Sequence, residues 1–468
     1  MMIWMRWWSV VAPLRAACSR ERSFMWLAIS LAGFCVRGDL LGVSSTVRSL
    51  GLAPRCYDRL LDFFHSPAVD IERLTQLWAR QVLKLFPAYR FAGRPVLLGD
   101  GIKIPKSGRK MPAVKKLHQE SDNNTKPEYI MGHGVQVISM LVGAGASFFA
   151  VPLGGRIHEG VKFTNRDKRT LPGKFGDLIE SLDLGEPFTL VADAYYACGH
   201  MAIRLMKRGC HLLSRVRCTA VAFLPPPPVD PTARGPGRPR VYGKKIELWK
   251  KFDSPSQDWK SADSPVYGER GVQIRFLSCI LLWKPLRGLV QFVLVDHPTR
   301  GRLIFVTTDL EMPPIEVVRL YGLRFKIELS FKQAVRVIGT YAYHFWMRQM
   351  DKLPRNSGTQ YMHRKNEDYR NAVRRKIAAY DRHIQIGLIA QGLLQYLAIT
   401  CPTLVWASFG SWLRTIRPGI PPSEFVTSTA LAHALPEFIA DRNSASSFKI
   451  FLRENLDVSS YEAVRLTG

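Results

Sequence analysis

The sequence predicts an α/β fold: a mixed β-sheet with helices on its faces, flanked by helical regions at both ends. The first observation is that short apolar runs and helical segments alternate between residues 91 and 217 in the order β-β-β-α-β-α-β. The second is that apolar residues recur at three- and four-residue steps in residues 1–90. The third is a long helical pattern at 368–399, followed by shorter helical pieces separated by prolines.

Each element of the predicted sheet follows from its own segment. The apolar runs at 134–142 and 146–153 are joined by Gly143-Ala144-Gly145, which is a hairpin signal. The remaining elements are predicted from the same kind of patterning, as strands at 94–100, 188–193 and 211–216 and as helices at 174–182 and 200–208.

Two further segments complete the central region. Residues from about 218 to 310 interrupt the alternation with a run of four prolines and several short strand-like runs, which predicts a β-rich insertion. A helix is then predicted from Pro314 to about residue 338, because proline suits a first helical turn and Gly339 suits a helix end. The chain is therefore divided into a helical N-terminal region, a central α/β domain and a helical C-terminal region, at 1–90, 91–340 and 341–468.

The net charge is the strongest clue to a partner. Lys and Arg total 66 and Asp and Glu total 38, so the formal net charge is +28, and the excess is spread along the chain. A globular protein this basic repels itself unless a polyanion is nearby, and nucleic acid is the usual one. A membrane surface or a ribosome would also satisfy the charge. Because no apolar run reaches the length of a membrane span and no clear export signal is present, we expect a cytoplasmic protein that binds DNA and no membrane.

Several enzyme classes find no support in the sequence. It contains no G-x-S-x-G, no H-E-x-x-H and no P-loop. Its eight cysteines form no C-x-x-C pair, which is typical of free thiols in a reducing compartment.

Three acidic residues are the candidates for chemistry. Asp100 and Asp193 each close an apolar strand, and Glu328 lies inside the predicted helix that begins at Pro314. Carboxylates are the ligands that Mg²⁺ and Mn²⁺ prefer, and two such ions can activate an attacking oxygen and stabilise a leaving one. Taken singly, Asp100 and Asp193 are also ordinary turn or cap residues.

The helix around Glu328 adds to this evidence. At about 100° per residue, Tyr321, Arg324, Glu328 and Lys332 share one face within about 80°. An apolar stripe beside them predicts that the helix packs on a core along that side, so the polar stripe faces a cleft. The alternative is a solvated face stabilised by a Glu–Lys pair.

These residues resemble a known family. The signature Tyr-x-x-Arg-x-x-x-Glu at 321–328, placed after two strand-end aspartates and a β-rich insertion, is similar to the DDE transposases of bacterial insertion sequences. It resembles most closely the group in which a Lys follows the Glu by seven residues. This chain has Val335 at that position, with Arg336 next to it. The resemblance covers about residues 90–340 and implies a ribonuclease-H-like catalytic domain.

The resemblance implies a metal-dependent reaction. Asp100 would bind both of two Mg²⁺ (or Mn²⁺) ions, Asp193 would bind one, and Glu328 would complete the catalytic triad. The reaction would be hydrolysis at the ends of a transposon, followed by strand transfer into target DNA in a cut-and-paste cycle. The partners would be terminal inverted repeats and target DNA, held by a homodimer in a synaptic complex.

The resemblance also implies DNA contacts. Tyr321 and Arg324 would contact phosphates near the transposon end, Lys332 would add a further contact, and Arg336 would take the place of the missing Lys. The helical region at 1–90 would bind DNA as well.

Basic segments extend the predicted DNA surface. Residues 103–116, which begin with Lys103, carry six cations directly after the first predicted strand. Arg238 and Arg240 belong to a Gly-Arg-Pro stretch that could lie in a narrow minor groove. A basic helical segment at 370–382 could line the DNA backbone. Two other functions stay open: a plain metal-dependent nuclease of the same fold, and a non-catalytic or degenerate DNA-binding protein.

Overall fold

The computed structural model describes residues 2–40, 42–119, 127–227, 240–254, 258–410, 415–441 and 446–457. Its strands are β1 Arg90–Phe91, β2 Arg94–Pro105, β3 Lys115–His118, β4 Tyr129–Ala144, β5 Ser147–Ile157, β6 Val161–Lys162, β7 Thr189–Ala192, β8 His211–Val216, β9 Val221–Phe223, β10 Lys245–Glu247, β11 Lys260–Asp263, β12 Gln273–Trp283, β13 Gly288–His297, β14 Gly301–Thr307 and β15 Gln360–Tyr361.

The α-helices lie mainly before and after these strands. They are α1 Met2–Val11, α2 Glu21–Val36, α3 Val43–Ser49, α4 Cys56–His65, α5 Ile71–Leu85, α6 Leu171–Ser181, α7 Gly199–Met206, α8 Pro314–Leu323, α9 Phe325–Gln333, α10 Glu367–Thr400, α11 Pro402–Phe409, α12 Glu424–Ala440 and α13 Ser447–Glu454. The predicted mixed α/β architecture with helical flanks is confirmed.

Five strands form the centre of the sheet, in the order β5-β4-β2-β7-β8. β2, β4 and β5 pair antiparallel as a meander, as the hairpin signal predicts. β7 lies parallel to β2, and β8 lies parallel to β7. Because parallel neighbours need a crossover, α6 and α7 connect these strands over the faces of the sheet.

The sheet continues beyond β8. β14 pairs antiparallel with β8, and β13, β12 and β9 follow it outward. The strands of residues 221–307 thus extend the central sheet at the edge where β8 ends the parallel part.

The N-terminal and C-terminal helices pack together on one side of the sheet. α10 contacts α2, α4 and α5, and it also packs against β5. The indole nitrogen of Trp78 in α5 donates to the Pro152 carbonyl at 2.8 Å, and that of Trp4 in α1 donates to Leu431 in α12 at 3.0 Å. One continuous hydrophobic core therefore joins both helical regions to the sheet.

No single helix in the described ranges is both long enough and apolar enough to span a membrane. The bent pair Glu367–Thr400 and Pro402–Phe409 meets these two requirements together, by length and composition.

Several predicted boundaries are wrong by a few residues, and two of them concern the candidate acids. β2 continues past Asp100 to Pro105, so Asp100 lies within a strand, because β4 offers hydrogen-bond partners as far as Gly132. The single helix predicted from Pro314 to residue 338 is interrupted at Arg324, where backbone bonds span three residues: Arg324 N–H donates to Tyr321 O, and Ile327 N–H donates to Arg324 O. A π-helical turn, Ala334–Ile338, then leads to Gly339 in the left-handed region, as the helix-end signal predicts.

Candidate active site

A cleft of about 680 Å³ opens over the middle of the sheet. Asp100, Asp193 and Glu328 all line it, as do Lys103 and Lys115. The strand register explains why Asp100 and Asp193 lie close together. Gly99 of β2 lies beside Ala192 of the parallel strand β7, and the residue that follows each of them is an aspartate. The sheet thus brings together acids that are far apart in sequence.

The carboxylate of Asp100 is more buried than that of Glu328. Its Oδ1 accepts a hydrogen bond from the Gly101 N–H at 2.7 Å, and its Oδ2 pairs with Arg324 Nη1 at 2.6 Å. Burial raises the pKa of Asp100 to about 6, the Arg324 charge and the Gly101 N–H oppose this shift, and the nearby Asp193 and Glu328 add to it. The three carboxylates therefore interact electrostatically.

Arg324 connects two of the acids. While Nη1 pairs with Asp100, Nη2 pairs with Glu328 at 3.0 Å. The Arg324 side chain is 15% exposed and Glu328 is 58% exposed, so the pair reaches from the buried floor of the cleft to solvent. Arg324 Nε is buried, and no hydrogen-bond acceptor lies within reach of it among the residues that the structure describes.

The three acids fit a divalent metal ion by their chemistry, since hard cations prefer carboxylate oxygens. Within the described part of the chain, however, no three His, Cys, Asp or Glu side chains are arranged so that they could hold an ion. Arg324 provides the positive charge between Asp100 and Glu328 in this arrangement. Metal binding by all three acids would require Arg324 to share or release these oxygens.

Two further lining residues of the cleft, Gln136 and Tyr196, belong to a chain of hydrogen bonds that sequence reasoning missed. Gln136 on β4 donates through Nε2 to the Tyr196 hydroxyl at 2.9 Å, and its Oε1 lies 2.5 Å from His158 Nδ1. Tyr196 follows Asp193 on a short 3₁₀ turn, Ala194–Tyr196, and its ring lies 4.7 Å from that of Phe175. Two signals could have identified these residues: the Tyr-Tyr pair that follows Asp193-Ala194, and the single Gln in an apolar strand.

Basic side chains stand at the rim of the cleft. Lys103 is exposed on β2 and donates to the His118 carbonyl at 2.6 Å. Lys115 on β3 pairs with Glu159 at 2.5 Å. The rim thus combines cations that could contact phosphate with an acid, Glu159, that the sequence analysis did not single out.

Four other predicted DNA-binding residues, all within the described ranges, do not line this cleft: Tyr321, Lys332, Arg336 and Arg240. Tyr321 is half-buried, with its ring 4.9 Å from that of Phe305 and 5.6 Å from the Arg324 guanidinium carbon. Lys332 and Arg336 are exposed, in the last turn of α9 and in the π-helical turn. Arg240 is exposed, whereas Arg238 lies outside the described residues.

Known proteins give one informative match. The family described as DDE superfamily endonuclease matches residues 13–275, which include Asp100 and Asp193 but not Glu328. No curated protein is similar enough to this sequence to count as a relative. Among solved structures, a piggyBac transposase synaptic complex with hairpin DNA is 10% identical, with 96% of this chain and 80% of that chain covered and a TM-score of 0.37. So low a TM-score does not establish a common fold. The family match spans more than half of the chain, and this protein therefore belongs to the DDE superfamily of endonucleases.

Proposed function

We propose that this protein is a DNA transposase, which cleaves DNA at the ends of a mobile element and joins those ends to target DNA. The observation that carries the proposal is the side-by-side placement of Asp100 and Asp193 on neighbouring parallel strands, in a cleft that Glu328 also lines. Membership of the DDE endonuclease superfamily supports phosphodiester cleavage as the reaction class. The net charge of +28 supports DNA as the substrate.

The strand order supports a ribonuclease-H-like catalytic domain. A meander of three antiparallel strands is followed by two parallel ones, in the order β5-β4-β2-β7-β8. The strands of residues 221–307 stand between β8 and the helix that carries Glu328, which fits a β-rich insertion within that domain. We infer a catalytic domain at 91–340, with helical regions at 1–90 and 341–468, of which the first would contribute DNA contacts.

The residues of the cleft would divide the work of the reaction. Asp100, Asp193 and Glu328 would hold two Mg²⁺ or Mn²⁺ ions, which supply an activated oxygen nucleophile and stabilise the leaving oxygen. Arg324 pairs with both Asp100 and Glu328, and its positive charge offsets the repulsion between the two carboxylates. The ammonium group of Lys103 at the rim can neutralise the phosphates that flank the scissile bond.

Further parts of the proposal rest on the signature at 321–328. It supports assignment to the insertion-sequence transposases with Tyr-x-x-Arg-x-x-x-Glu, and on that assignment the protein would work with DNA in a bacterial cytoplasm. Tyr321, Arg324, Lys332 and Arg336 would contact DNA near the element end. Two ends must be brought together before strand transfer, so the active form would be a homodimer in a synaptic complex.

A second candidate is a DNA-binding protein that does not cleave. The observation that favours it is the engagement of Asp100 and Glu328 by Arg324, which takes up carboxylate oxygens that an ion would need. The exposed Val335, at the position where the signature usually has a Lys, is consistent with a degenerate site.

One experiment separates these functions. The full chain is incubated with Mg²⁺ or Mn²⁺, a DNA that carries the terminal inverted repeats of its own element, and a target plasmid. We expect nicked ends and joined products, both lost in Asp100→Ala, Asp193→Ala and Glu328→Ala. Cleavage that survives these substitutions would overturn the assigned triad. Cleavage without joining would indicate a nuclease, and salt-sensitive binding without cleavage would indicate the non-catalytic protein.

A further inference from the structure

An extended segment after the Glu328 helix presents an unusually exposed tryptophan. Burial alternates along residues 343–348: Tyr343, Phe345 and Met347 are buried, while the residues between them face solvent. Trp346 is 62% exposed, more than any other large hydrophobic side chain in the described ranges. Exposing so much apolar area is unfavourable, which suggests that the ring has a binding partner.

The backbone on both sides of Trp346 is held firmly. The Tyr380 hydroxyl donates to the Phe345 carbonyl at 2.6 Å, and the Met347 N–H donates to the Lys110 carbonyl at 3.0 Å. Lys106, itself buried, donates to the Tyr343 carbonyl at 3.1 Å and lies over the Tyr343 ring. The exposed indole is therefore preorganised, so little ordering entropy is lost when a ligand binds to it.

Cationic residues lie on the two chain segments that meet beside the exposed ring. Arg109 donates through Nε to the Leu353 carbonyl at 2.9 Å, and Lys110 donates to the Arg348 carbonyl at 3.0 Å, so the basic segment at 106–112 lies alongside 343–353. Both segments together hold a single acid, Asp351, which pairs with Lys365 at 3.4 Å. No aromatic ring and no cation–π partner covers Trp346 among the residues that the structure describes.

The exposed Trp346 ring and the neighbouring cations together fit a nucleotide. Phosphates pair with the cations, and an unstacked nucleobase lies on the ring. Duplex DNA offers the phosphates but keeps its bases stacked, so the full set of contacts requires an unpaired nucleotide. We propose that the Trp346 surface (Arg109, Lys110, Trp346 and Arg348) binds unpaired nucleotides of DNA beside the catalytic cleft.

The position of this surface relative to the cleft supports the proposal. β2 carries Asp100 and leads directly into the basic segment, where a Cβ at Gly108 would lie 3.6 Å from Trp346 Nε1. The chain from Asp100 to Gly108 spans at most about 26 Å at roughly 3.3 Å per residue. DNA strands that separate near the scissile phosphate are therefore within reach of Trp346. The inference rests on the proposed function only in taking DNA as the substrate.

The test measures binding and does not require catalysis. Fluorescence anisotropy gives the Kd of the full chain for a labelled oligothymidylate and for a blunt duplex of equal length, without metal. Trp346→Ala should weaken oligothymidylate binding about 10-fold, since stacking on one ring contributes on this scale. The Kd for the duplex should change by less than about twofold, because paired bases stay stacked on one another and do not use the ring. A change of that size is the usual scatter of neutral surface substitutions. Trp346→Phe should restore most of the affinity.

The control is Phe425→Ala, which removes an exposed aromatic ring from α12 and should leave both Kd values unchanged. Thermal melting checks that each variant is folded. Unchanged oligothymidylate affinity in Trp346→Ala, or an equal loss for the duplex, would overturn the inference. Trp346-dependent binding by a protein that cleaves nothing would instead overturn the proposed function and leave this inference standing.

Discussion

Two aspartates in this molecule have almost the same raised pKa, yet they lie in different surroundings. Burial raises the pKa of both Asp100 and Asp381 to about 6. Asp381 on α10 accepts a hydrogen bond from the Ile157 N–H of β5 at 3.0 Å, with Arg156 as the nearest opposing charge. Asp100 lies in a cleft, and two other acids add to its shift. A raised pKa thus reports desolvation, and only the grouping of acids at an open cleft points to chemistry.

The largest expected effect separates these two residues by activity. Asp100→Asn should lower the cleavage rate at least about 1,000-fold, because it removes a carboxylate that holds the metal ions. Asp381→Asn should stay near the wild-type rate, because its amide oxygen can still accept from Ile157 and it lines no part of the cleft. The measurement is the initial rate of end cleavage at saturating Mg²⁺. A comparable loss in both variants would mean that the assay reads folding, and the contrast would collapse.

A smaller effect is expected from the cation beside Asp100. Arg324→Ala removes the charge that opposes the raised pKa of Asp100, so that pKa should rise further, by about one unit. A smaller fraction of the protein then has an ionised Asp100 at pH 7. The cleavage rate should fall about 10- to 100-fold, which is the scale of losing one charged contact in a catalytic site. The rising limb of the pH–rate profile should move to higher pH.

Arg324→Lys provides the control for this shift. It keeps the positive charge but loses the two guanidinium nitrogens that reach Asp100 and Glu328. Its pH–rate profile should therefore lie between those of the wild type and Arg324→Ala. A rate increase in Arg324→Ala would show the opposite role, that of a cation which blocks metal binding.

Much of the candidate site could be predicted from the sequence, because the signals for its acids are local. Asp100 and Asp193 follow apolar runs, and strand neighbours fix their proximity once the parallel order is known. The interruption at Arg324 was not predictable, because its backbone is helical in φ and ψ and the change lies in three-residue hydrogen bonds. Gln136 and Tyr196 were missed because their link spans β4 and the turn after β7, and no sequence period connects these segments.

In the metal-free protein, Asp100 and Asp381 should have the same effect on the stability of the fold. Their folded pKa of about 6 exceeds the ordinary value of 3.8. Between these values the unfolded chain loses its proton first, so stability falls as pH rises and stays low above pH 6. In EDTA at pH 8, Asp100→Asn and Asp381→Asn should each raise the melting temperature by about 2–4 °C, from roughly 1–3 kcal/mol of relieved desolvation. At pH 4 the gain should nearly vanish, and a gain independent of pH would contradict this origin.

The smallest effect concerns the tyrosines near the two aspartates. Tyr196 borders the cleft and accepts from Gln136, whereas Tyr380 precedes Asp381 and donates to the Phe345 carbonyl at 2.6 Å. Tyr196→Phe leaves the buried Gln136 amide without this acceptor beside the acids, so stability should fall by about 1–2 kcal/mol and cleavage should fall about threefold, the scale of one neutral hydrogen bond. Tyr380→Phe should lower stability by about the same 1–2 kcal/mol, because a buried carbonyl loses its donor, while the cleavage rate hardly changes. Urea denaturation and initial cleavage rates, measured on both variants, check this difference in activity. If both tyrosines affected stability alone, the hydrogen-bond chain through Gln136 would be part of the scaffold and the functional wall of the cleft would be limited to its acids and cations.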